Sequence, residues 1–98
     1  MRLTEYQANL IKELSRKFFG ENVKVFLFGS RVDDTKKGGD IDIYIETTNL
    51  HEDIFGKKIG MLVELEKKMG QRKIDIVVNN FSSHLDVYDV AKREGILL

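Results

Sequence analysis

The chain has 98 residues, enough for one small domain with little surplus core. Sixteen basic and sixteen acidic residues cancel, which disfavours a direct grip on nucleic acid, because proteins that neutralise phosphates are usually clearly basic. The absence of Cys excludes disulfides, Cys-type zinc sites and thiol catalysis, and no apolar run approaches the ~20 residues of a membrane-spanning helix.

Met1 to Thr4 leads straight into a helical pattern rather than a signal peptide, so the expected setting is the cytoplasm, with no membrane contact. Thr4 caps a first helix, with Gln7 as its capping-box partner. Leu3, Tyr6, Leu10, Leu14 and Phe18 follow at helical spacing, and Gly20 is a suitable stop. Residues 23–28 form a short strand that ends apolar on both faces. The segment from Gly29 to Gly39 is polar and begins with a short helical turn.

Residues 40–46 alternate strictly. Ile41, Ile43 and Ile45 point one way; Asp40, Asp42, Tyr44 and Glu46 point the other. A second long helix is expected from Asn49 to Met69, with Ile54, Phe55, Ile59, Met61, Leu62 and Leu65 as a broad apolar stripe. Asp53–Lys57 and Glu64–Lys68 would pair on its solvent side. Residues 73–78 form a third strand, with Asp75 opposite Ile74, Ile76 and Val78. A last helix is expected over residues 82–93, followed by the apolar tail Ile96-Leu97-Leu98, which covers either this domain's own core or a partner groove. The order predicts a small α/β (α+β) domain over 1–98, with a mixed sheet of three main strands and helices packed on one face.

Aspartate is depleted in strands because it buries poorly. Three aspartates in strands otherwise built of Ile, Val and Phe therefore require a reason, and a divalent-metal site is the simplest. If the isoleucines face the helices, Asp40, Asp42 and Asp75 all project from the opposite face. Mg²⁺, which takes oxygen ligands from carboxylates, water and substrate phosphates, would relieve their mutual repulsion. Gly29 lets a backbone approach phosphate oxygens closely, and Ser30 with free N–H groups can donate to them. Arg31, Lys36 and Lys37 could add positive charge. Tyr44 shares the aspartate face, where it would either stack on a base or pack on the sheet. His51 and His84 have no metal-ligand spacing and read as surface residues. Gly56 and Gly60 suggest close helix packing, with a partner interface as the alternative.

Gly29-Ser30-Arg31, then Asp40-Ile41-Asp42-Ile43, then Asp75 in Ile-Asp-Ile-Val resemble the nucleotidyltransferase signature of the DNA polymerase beta superfamily. Length and element order are similar to its minimal nucleotidyltransferases, often encoded beside HEPN-domain proteins. Many members carry one residue more between the serine and the first aspartate, and Gly39 stands where Ser is usual. The resemblance implies transfer of a nucleoside monophosphate from a nucleoside triphosphate to an acceptor hydroxyl, with pyrophosphate leaving. Asp40 and Asp42 would hold the Mg²⁺ of the triphosphate, and Asp75 with both would hold the metal at the attacking oxygen. Gly29, Ser30 and Arg31 would bind the nucleotide. It further implies ATP as donor and a tyrosine of a HEPN ribonuclease toxin as acceptor, making the chain a type VII-like antitoxin.

Two rival readings stand beside this one. One is a non-catalytic antitoxin that neutralises its partner by occlusion. The other is nucleotidyl transfer to a small molecule or RNA. Nucleotide choice and assembly into a homo- or hetero-oligomer are not legible in the residues.

Overall fold

The computed structural model describes residues 3–29, 41–48, 53–70, 73–80 and 85–98. Helix α1 covers Glu5–Phe19 and opens with the expected capping box. The Gln7 N–H donates to Thr4 Oγ1 at 3.1 Å, and the Thr4 N–H donates to Gln7 Oε1 at 3.0 Å. At its far end Gly20 takes φ 107°, a region that side-chain-bearing residues avoid, and its N–H donates to the Arg16 carbonyl.

Strand β1 is Lys24–Phe28 and β2 is Ile41–Glu46; they pair antiparallel. Helix α2 covers Ile54–Met69 and leads to β3, Ile74–Asn79. A helix between two strands returns the chain to the end where it started, so β3 lies parallel to β2. Helix α3 covers Asp86–Glu94 and β4 covers Ile96–Leu97, antiparallel to β1. The sheet is mixed, in the order β3-β2-β1-β4. Among the described residues, no helix is long and apolar enough to cross a membrane.

The predicted start of α2 at Asn49 lies outside the described residues. The cap is Asp53, whose carboxylate accepts the Gly56 N–H at 2.8 Å. A carboxylate at a helix start satisfies an orphan donor and complements the dipole, so Asp53 caps rather than serving as a side-chain partner. Gly56, expected to mark helix packing, instead leaves room for this cap. The ion pair seen further along α2 joins Lys67 to Glu64 at 3.9 Å. Helix α3 begins later than predicted, at Asp86, with Leu85 at its N-cap position and no side-chain cap bond.

The isoleucine face of β2 is fully buried under α1 and α2, against Ile11, Leu14, Met61 and Leu65. Gly60 sets the distance between those helices: a Cβ there would meet Phe18 Cε1 at 2.8 Å. Packing of helices on one face holds for α1 and α2 but not for α3. Tyr88 and Ala91 of α3 cover Phe26 and Tyr44 on the other face. The physical reason is β1, whose Val25 and Leu27 fill one core while Phe26 needs cover on the opposite side. The tail turns back on this same sheet, with the Leu98 N–H donating to the Val25 carbonyl at 2.8 Å.

Candidate functional site

The β2–β3 register sets Asp42 directly beside Asp75. Opposed residues on neighbouring strands project to the same face with Cα atoms ~4.8 Å apart. Tyr44 beside Val77 and Glu46 beside Asn79 continue the two rows on that face. Helix α3 covers the Tyr44 end of it. At the other end Asp42 is half-buried and Asp75 exposed.

Gly29 follows β1 with φ 78°, and Phe28, the residue before it, lies opposite Asp42. A Cβ on Gly29 would collide with the Asp42 carboxylate. Glycine is therefore required here twice, once for the backbone angle and once for the carboxylate that rests against it. Ser30, Arg31 and Asp40, the other expected site residues, lie outside the described residues, as do Lys36, Lys37, His51 and His84. Among the described residues no group of three or more acidic, His or Cys side chains gathers.

Two carboxylates on adjacent strands, one exposed and one half-buried against a glycine, form an all-oxygen donor pair whose charges repel. A hard divalent cation fits such a pair, because it neutralises both and accepts water and phosphate oxygens at its remaining positions. Mg²⁺ is consistent with that donor chemistry.

Tyr44 does not offer its ring to a base. It is 1% exposed, held between Phe26 and Tyr88 with ring centroids 5.7 and 5.8 Å away. Its hydroxyl donates to Glu46 Oε2 at 2.9 Å and accepts from Asn79 Nδ2 at 3.1 Å. Lys92 Nζ of α3 lies 3.3 Å from the same Glu46 oxygen. Burial pushes the Tyr44 hydroxyl up to about 12; the Asn79 hydrogen bond opposes this, and Glu46 adds to it. The chain Asn79–Tyr44–Glu46–Lys92 anchors α3 to the sheet, next to the carboxylates rather than among them.

An open cleft of about 450 Å³ has Asp42 and Asp75 in its lining, together with Phe55, Lys58, Ile59 and Leu62 of α2. Sequence reasoning missed this contribution by reading Phe55 and Ile59 only as part of a broad apolar stripe; Leu62, in the same stripe, does pack against the core. Phe55 is in fact 74% exposed. The signal was present: the apolar stripe of α2 is wider than a helix can bury against one sheet.

No curated protein matches the chain. A family model, the nucleotidyltransferase domain, matches residues 8–98, a span that holds both carboxylates, Gly29 and every strand. The chain therefore belongs to the nucleotidyltransferase domain family.

Proposed function

We propose that this nucleotidyltransferase moves AMP from ATP to a tyrosine hydroxyl of a partner HEPN ribonuclease toxin, and so acts as its antitoxin. The observation that carries the catalytic part is the Asp42–Asp75 pairing with Gly29 against Asp42. It sets two carboxylates side by side, and the nearer one, Asp42, stands against a bend whose backbone a phosphate could approach. Asp40, two positions before Asp42 in the sequence, is the third proposed ligand, and Ser30 with Arg31 the proposed phosphate donors. The antitoxin role rests on the resemblance of the motifs and element order to the minimal nucleotidyltransferases and on the balanced charge, which favours a protein acceptor over RNA.

Asp40, Asp42 and Asp75 would hold Mg²⁺, which supplies charge neutralisation at the attacking and departing oxygens of an in-line displacement. The acceptor oxygen forms a bond to the α-phosphorus, the bond to the β-phosphate oxygen breaks, and pyrophosphate leaves. Asp75, more exposed than Asp42, would take the acceptor's proton. The absence of a Cβ on Gly29 leaves the space beside the bend to the Asp42 carboxylate.

The test incubates the purified protein with labelled ATP, Mg²⁺ and the protein encoded by the adjacent gene. Label on that protein is the expected result, and no label with both proteins folded and metal and nucleotide saturating would refute transfer. Asp40→Ala with Asp42→Ala should abolish both labelling and neutralisation. Neutralisation that survives the double substitution would instead support occlusion.

A further inference from the structure

Helix α2 exposes a row of large apolar side chains that the other described elements leave largely open. Phe55 is 74% exposed, Ile59 45% and Val63 44%. Spaced four residues apart, they stand one above another along the helix, while Met61 and Leu65 turn inward and are fully buried. The first two also line the cleft that holds Asp42 and Asp75.

Strand order gives the cleft a direction. Gly29 lies on the β1 side of Asp42, and Asp75 lies on the β3 side. An in-line displacement places the attacking oxygen opposite the leaving pyrophosphate. With phosphates at the Gly29 bend, the acceptor enters from the β3 side, where α2 joins the cleft wall.

We propose that the Phe55–Ile59–Val63 ridge is the docking surface for the acceptor, and that the acceptor is an apolar polypeptide segment carrying its hydroxyl next to an acidic side chain. This rests on the transfer reading above and adds the surface and the chemistry of the partner. Length selects a polypeptide: from Phe55 to Val63 the row runs ~12 Å along the helix, and Val63 is not among the cleft residues. A sugar or nucleotide acceptor confined to the cleft would leave that end of the ridge in water. The same lining holds Asp42 and Asp75; with those two neutralised by bound metal, Lys58 is the charge left beside the ridge, and it favours an acidic rather than a basic neighbour of the hydroxyl.

The test compares wild type with Phe55→Ser/Ile59→Ser and with Val63→Asp, using the protein of the adjacent gene as the probe. All three positions are exposed, so circular dichroism and thermal midpoint should match wild type. Docking at the ridge predicts that binding of the probe weakens by about 30-fold or more in the double variant, as loss of a central apolar anchor does. In the transfer assay KM for the probe should rise while kcat stays near wild type. Equal binding by wild type and both variants overturns the assignment, and so does absence of binding by wild type. A wild-type dimer that the substitutions dissociate overturns it in favour of a second copy on the ridge. Binding without labelling by wild type overturns the transfer reading alone, because the variants still report on docking.

Discussion

Gly29 separates a structural from a functional requirement at a single atom. An added methyl would meet the end of the Asp42 side chain, which can rotate away, so the fold can absorb it. The positive φ adds a cost of about 1 kcal/mol for a residue with a Cβ. Gly29→Ala should therefore lose only about 1–2 kcal/mol by urea unfolding while nucleotidyl transfer falls at least ~100-fold, because the displaced carboxylate no longer faces the phosphate. A variant with near-normal turnover would show that Asp42 does not act from that position. Asp75→Asn has the opposite signature. Removing one of two adjacent like charges should leave the metal-free protein as stable as wild type or slightly more so, with thermal denaturation as the readout. The same substitution should cost at least ~100-fold in transfer. Destabilisation by Asp75→Asn in metal-free buffer would argue for a structural carboxylate instead.

At the scale of elements, the polar chain under α3 makes the most specific forecast. Tyr44 has its hydroxyl pushed up to about 12 by burial, against an ordinary value of 10.0. Between those values the unfolded chain has released a proton that the folded protein keeps, so stability is intact below pH 10 and declines as pH rises towards 12. The loss is on the order of 2 kcal/mol for this one group. Phenolate absorbance should show a late tyrosine that Tyr44→Phe removes. Tyr88→Ala, which uncovers the ring, should bring that late titration back towards the ordinary value. An unchanged late phase in Tyr88→Ala would show that α3 is not what keeps Tyr44 dry. Helix α1 offers a plainer case. Thr4→Ala removes the acceptor of the Gln7 N–H and should cost about 1 kcal/mol in chemical denaturation. That element was legible from its residues because a capping box, an apolar row and a terminal glycine are all local signals. The start of α2 was less legible, since Asn49 and Asp53 both have the chemistry of a cap, and neither residue type distinguishes them.

For the molecule as a whole, two oppositely placed layers of helix leave one end of one sheet face uncovered by either layer among the described residues, and Asp42 and Asp75 stand there. Binding of Mg²⁺ with a nucleoside triphosphate to that end should raise the thermal midpoint, and chelation should reverse it. No shift at saturating ligand would remove the metal-nucleotide site. Alternation within β2 and β3 was sufficient to say that Asp42 and Asp75 oppose the isoleucines, because a strand's side-chain period is a local property. It could not say that the two are register partners, since that depends on how α2 returns the chain to the sheet. The sequence alone determined the order of elements from α1 to α3, the capping of α1, the buried isoleucine face with Asp42 and Asp75 opposite it, and the nucleotidyltransferase resemblance that the family match supports. The tertiary structure decided that α3 crosses to the carboxylate face, that Tyr44 is packed, that the tail completes the sheet edge and that the α2 ridge stays outside. Those outcomes turn on which apolar surfaces meet after folding, and contacts between segments far apart in the chain leave no periodic trace in either segment by itself.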